Sequence, residues 1–174
     1  MLGKRLSLRV CGAGTLPHVV RRVRSTMLNE HSGILFSDGR DSTTIAISTL
    51  PGLLLHSAGQ YRKPDAFKFK RNGQWINVST DELLLRVEEL FFALRALGLK
   101  PGDRVVILSE NRVEWAITDY AVLCAGATTV PIYPTLSAPQ VAALLEDCQP
   151  TIVFVSSLAL LQKVLASGGA VQVP

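Results

Sequence analysis

The side chains able to do chemistry are few in this chain, and their spacing does not suit it. His18, His31 and His56 have no i, i+4 partner that would set two imidazoles on one helical face around a metal, so they read as surface or capping histidines. Cys11, Cys124 and Cys148 are an odd number with no Cys-x-x-Cys pair. That argues against both a disulfide framework and a zinc site, and it fits a reducing compartment. Gly12-Ala13-Gly14 follows a short apolar stretch and offers two-thirds of a G-x-G-x-x-G fingerprint. The third glycine position is Pro17, where close helix–strand packing needs Gly or Ala, so an NAD-type dinucleotide site is not supported. The carboxylates Asp81, Glu82, Glu88 and Glu89 sit at the start or on the polar side of one helical stretch, where capping, the helix dipole and solvation account for them. Neither G-x-x-x-x-G-K-[ST] nor G-x-S-x-G occurs anywhere. The residues alone therefore assign no catalytic, no cofactor-binding and no metal-ligating position.

The elements that would have to position any site become legible from Thr49 onward. Thr49 can cap a helix entered through Pro51, with Leu54, Ala58 and Tyr61 on one face and Pro64 ending it. Asn72-Gly73 between Phe67–Arg71 and Gln74–Val78 predicts a hairpin, because both central residues of the tight turn need positive φ. In that register Phe67 opposes Val78 and Phe69 opposes Ile76 on one face. Lys68 pairs with Asn77, and Lys70 with Trp75, on the other. Ser79 with Glu82 predicts a capping box for a helix whose apolar face is Leu83, Val87, Leu90, Leu94 and Leu97, closed by Gly98.

Three strand–helix units follow. Arg104–Leu108 leads to a helix capped by Asn111 and running to about Ala125. Thr128–Ile132 leads to a helix capped by Ser137 and reaching about Cys148, and Thr151–Val155 leads to Leu158–Ala166. Strands without polar alternation, separated by helices, predict a largely parallel sheet covered on both faces. The expected class is α/β, part of a doubly wound sheet domain with one β-hairpin. The turns after the three strands, Ser109-Glu110-Asn111, Tyr133-Pro134-Thr135 and Ser156-Ser157, hold no glycine. A backbone cradle for phosphates is thus not visible.

Charge placement decides what the basic balance means. Of 174 residues, 18 are Lys or Arg and 14 Asp or Glu, and Lys4, Arg5, Arg9, Arg21, Arg22 and Arg24 stand in an acid-free start. The other 150 residues are slightly acidic, which argues against a nucleic-acid partner. Residues 1–40 are expected to be a basic, disordered tail or a start placed upstream of Met27, dispensable for folding, with organelle targeting by residues 1–24 the less favoured reading. Hydrophobic residues at 48% against 18% charged give material for a core and exclude a disordered chain. No stretch approaches the ~20 apolar residues of a membrane span.

Several strings between Tyr61 and Ser156 resemble, in order and spacing, the N-terminal region of the adenylate-forming (AMP-binding) enzymes. They are Pro64-Asp65-Ala66, Thr80-Asp81-Glu82-Leu83, Leu97-Gly98-Leu99-Lys100-Pro101-Gly102-Asp103-Arg104-Val105, Asn111-Arg112-Val113-Glu114-Trp115 and Pro131-Ile132-Tyr133-Pro134-Thr135. Ser109-Glu110-Asn111-Arg112 and Pro131–Thr135 look most like the long-chain fatty-acid–CoA ligase branch. The resemblance implies that a fatty carboxylate attacks the ATP α-phosphate to give acyl-AMP and pyrophosphate, and that CoA thiol then displaces AMP. Fatty acid, ATP, Mg and CoA are the partners and cofactors it implies for a full-length member. One departure is Thr80, where many relatives carry Tyr. A larger one is the family's Ser/Thr/Gly-rich phosphate loop ending in Pro-Lys-Gly, which does not occur in the sequence; Ser42-Thr43-Thr44 and Thr128-Thr129 lack its glycines and lysine.

Residues 41–174 are therefore expected to be a partial AMP-binding domain cut before that loop, inactive alone, with an open edge at Thr151–Val155 that promotes self-association. A non-catalytic interaction module is the alternative. The implied location is cytoplasmic or peripheral to a membrane.

Overall fold

A computed structural model of the chain describes residues 6–8, 48–166 and 171–172. Cys11, Gly12, Gly14, Pro17, His18, His31 and Ser42–Thr44, on which expectations were placed, lie outside them. Seven strands and five helices follow in the order β1 (Leu6–Leu8), α1 (Leu50–Gln60), β2 (Phe67–Arg71), β3 (Gln74–Val78), α2 (Thr80–Ala96), β4 (Arg104–Leu108), α3 (Val113–Cys124), β5 (Thr128–Ile132), α4 (Ala138–Cys148), β6 (Ile152–Val155), α5 (Leu158–Ala166) and β7 (Val171–Gln172). A parallel five-stranded sheet has the order β5-β4-β6-β1-β7, and β2–β3 form a separate antiparallel hairpin.

Alternate residues of β4 and β6 serve two cores. Val105 and Ile152 pack with Leu83, Val87, Leu94, Leu99, Ile117 and Val122 of the α2–α3 layer. Val106, Leu108 and Val153 pack with Val141, Leu160 and Val164 of the α4–α5 layer. Each fully buried Val, Leu or Ile contributes about 1.5–3 kcal/mol relative to exposure. Strands apolar on both sides thus fix helices above and below, and the doubly wound α/β expectation holds. The hairpin register is the expected one, from Phe67↔Val78 to Arg71↔Gln74. β5 is an edge strand, where the missing N–H of Pro131 leaves the sheet intact.

Local chemistry sets the ends of the helices. Thr49 Oγ1 accepts from Gly52 N at 3.1 Å and Ser79 Oγ from Glu82 N at 3.1 Å. Gly98 and Gly126 take positive φ after α2 and α3, and Leu99 N and Ala127 N bond back to Leu94 O and Val122 O to close each helix.

Five expectations are corrected. Tyr61 follows α1 rather than lying on its buried face, and it is exposed. Only the Ser79 half of the capping box forms at α2, because the Glu82 carboxylate is taken by Arg86 one turn on. The residue preceding α3 is the extended Arg112, not Asn111, and its side chain makes no cap bond. The Thr151–Val155 edge is not open: β6 lies between β4 and β1. Finally, Leu6–Leu8, inside the segment read as a tail, pair in parallel with both β6 and β7. An apolar strand buried on both faces gains a neighbour from the start of the chain.

Candidate functional site

In open α/β sheets ligands bind outside the carboxyl ends of the strands, where the connections turn to opposite sides. Here β4 leads through α3 to β5 on one side, while β6 leads through α5 to β7 on the other. The crevice at the carboxyl ends of β4 and β6 is that place. Two turns border it, and a hydrogen bond ties them: Ser156 Oγ donates to Glu110 Oε2. That bond is the largest cause holding the Glu110 carboxyl below its ordinary range, with its own backbone N–H adding to it. Lys163 of α5 steadies the third turn, donating from Nζ to Pro134 O at 2.7 Å and Leu136 O at 2.9 Å. Tyr133 then stands 78% exposed at the carboxyl end of β5.

The same turn after β4 forms one wall of a cleft of about 480 Å3, whose other wall is the hairpin. Phe69, Lys70 and Arg71 face Glu110, Asn111, Arg112, Val113 and Glu114 across it. Arg112 Nε donates to Glu114 Oε2 at 3.2 Å. Burial works to raise the Glu114 pKa, but its backbone N–H, Arg112 and the more distant Arg71 outweigh it and hold the carboxyl low.

At neutral pH both carboxyls are therefore acceptors, and neither is poised to give up a proton. Burial pushes the Cys124 thiol up to about 11 and raises Cys148 as well, so neither is a ready thiolate. Among the described residues no three His, Cys, Asp or Glu side chains gather in a way that could hold a metal. His56 is half-buried on α1, and Thr128 and Thr129 lie in β5 rather than in a loop. Asp81 and Glu82 start α2, with Asp81 3.8 Å from Arg62.

The arrangement can orient a polar group at the crevice, and the one hydroxyl it sets on a carboxylate, Ser156 on Glu110, faces a group held low and so a poor base. Glu110 and Ser156 are 46 residues apart, and only the strand order brings them together. Their positions at the carboxyl ends of strands were the one signal that the sequence offered.

Comparison with known proteins places this architecture. The family model described as AMP-binding enzyme matches residues 55–174. A long-chain-fatty-acid–CoA ligase of Mycobacterium bovis, FadD15, is 43% identical over 93 residues, which is 52% of this chain and 16% of that protein. The chain thus spans about a sixth of the length of that relative. Two solved structures share the fold: a Mycobacterium tuberculosis fatty acyl CoA synthetase (TM-score 0.59, 24% identity, 70% of this chain and 25% of that one) and a benzoate CoA ligase from Burkholderia xenovorans (TM-score 0.61, 20% identity, 72% and 25%). With residues 55–174 matched along their length, this chain belongs to the AMP-binding enzyme family.

Proposed function

We propose that this chain supplies the first part of the activating domain of an ATP-dependent long-chain fatty acid–CoA ligase. In that role it builds and steadies the wall of an adenylation site and does not carry out the chemistry itself. The observation that carries the reading is the 43% identity to a long-chain-fatty-acid–CoA ligase across 93 residues. In the overall reaction the fatty carboxylate oxygen bonds to the ATP α-phosphorus and pyrophosphate leaves. CoA sulfur then bonds to the acyl carbon, AMP leaves, and the thiol proton passes to solvent.

This chain's contribution is positional. The Glu110–Ser156 bridge fixes the turns after β4 and β6, and Lys163 fixes the turn after β5. Held this way, the three turns present a rigid edge, as a productive site requires of its support. The residues described do not fit a magnesium ion, whose oxygen ligands would have to converge. The glycine-free turns do not fit a phosphate cradle either. No step is routed through either group here.

The working location is cytoplasmic or peripheral to a membrane, and among the described residues no helix is long and apolar enough to cross one. The test is fatty-acid-dependent ATP–pyrophosphate exchange with the purified chain. Exchange no greater than a no-protein control is expected. Exchange above it would overturn the supporting role. Stable capture of a defined protein partner by an inactive chain would favour the interaction-module reading instead.

A further inference from the structure

Charge is segregated along the chain in a way that its modest total conceals. Residues 61–78 carry five cations, Arg62, Lys63, Lys68, Lys70 and Arg71, against the single carboxylate Asp65. Residues 79–174 carry six cations against ten carboxylates. The hairpin is therefore a basic projection on an acidic body. Its inner face is spent on packing, with Phe67 and Phe69 set against the α2–α3 core. The register puts Lys68, Lys70, Trp75 and Asn77 on the opposite face.

That outer face has three properties together. Trp75 is 66% exposed, an unusual position for so large an apolar ring. Lys70 Nζ sits 5.2 Å from its ring centroid, so the cation and the ring form one amphipathic unit. Lys68 meets Asp65 at 2.8 Å in an exposed ion pair, whereas among the described residues Lys70 has no carboxylate within ion-pair distance. Arg71 belongs to the inner face, 5.3 Å from the Phe69 ring.

We propose that the outer face of the β2–β3 hairpin docks on an anionic lipid surface, Lys68 and Lys70 meeting headgroup phosphates and carboxylates while the Trp75 indole enters the headgroup layer. An indole with one wet edge and an apolar body is suited to that layer, and basic side chains beside it are drawn to a negative leaflet. A single-stranded nucleic acid fits less well. It needs several stacking rings along a basic groove, and this face offers the one ring of Trp75. The docking is independent of the ligase reading, since it rests on the hairpin alone.

The test is sedimentation of the full chain with phosphatidylcholine vesicles, with and without about one-third phosphatidylserine, at low and high salt. Each cation near an anionic surface is worth about fivefold in partition. Lys68→Gln with Lys70→Gln should therefore lower partition to phosphatidylserine vesicles by about 25-fold, while Lys100→Gln, at a distant turn, should change it less than twofold. Because residues 1–24 are also basic, a second readout isolates the face. In a Trp115→Phe chain, Trp75 emission should shift to the blue and become shielded from acrylamide on adding phosphatidylserine vesicles. Partition unchanged by the double substitution, or Trp75 emission unmoved while the chain sediments, would overturn the proposal. So would sedimentation equal on neutral vesicles, or an oligonucleotide that shields Trp75 where vesicles do not.

Discussion

Among the described residues Thr80 is one of two buried polar side chains, and it carries a specific expectation. Its Oγ1 accepts from Lys63 N at 3.0 Å, and its own N–H donates to Lys63 O at 2.9 Å. This double bond pair clamps the segment leaving α1 onto the start of α2, just before the hairpin. Thr80→Val keeps the shape and removes only the acceptor, so the Lys63 N–H is left without a partner at a partly buried position. An unsatisfied buried donor costs about 1–3 kcal/mol, and partial burial places this one near 1–2 kcal/mol. For an ordered body of this size that is a fall of about 4–8 °C in Tm. Thr80→Ser keeps the acceptor and loses one methyl group, about 0.8 kcal/mol. Thermal and urea unfolding give the totals. Amide hydrogen exchange at Lys63 decides the mechanism, with protection lost in Thr80→Val and retained in Thr80→Ser. Equal Lys63 protection in the wild-type and Thr80→Val chains would refute the clamp.

Three further outcomes follow from the geometry. Ser156→Ala removes the main cause of the low Glu110 pKa, so its carboxyl should titrate higher by NMR. In the parent chain any stability from this group should be present above the ordinary carboxylate range and lost as pH falls through the depressed value. Gly126→Ala should destabilise more than Gly98→Ala in urea titrations. Both residues have positive φ, but a Cβ at 126 would also meet Pro101 Cβ at 3.2 Å, whereas the space at 98 is open. Cys124, with its thiol pushed up to about 11, should resist Ellman's reagent at pH 8 in the folded chain and react on unfolding, as followed by mass mapping.

Elements set by local pattern were legible. Asn72-Gly73 fixed the hairpin register through the turn, and the unbroken apolar runs of β4 and β6 announced helices on both faces. Competition between local partners was not. Glu82 could reach back to the Ser79 N–H or forward to Arg86, and the ion pair one turn on prevailed. Asn111 looked like a cap because of its residue type. The chain stays extended through Arg112, so α3 starts one residue later without a side-chain cap. Nor was the role of Thr80 legible, since its clamp to Lys63 spans 17 residues and lies beyond any local pattern. The largest gaps were topological. β1 beside β6 and Glu110 beside Ser156 depend on strand order, which no periodicity encodes.

The central claim is that this chain is the supporting part of an acyl-activating site, and reconstitution tests it most directly. The chain would be mixed with a Mycobacterium long-chain-fatty-acid–CoA ligase from which the matching segment has been removed. The relative's own segment serves as the positive control, and fatty-acid-dependent ATP–pyrophosphate exchange is the readout. The account predicts exchange from the mixture and none from either piece alone. Exchange by this chain alone, or a mixture that stays silent where the relative's own segment restores activity, would contradict it.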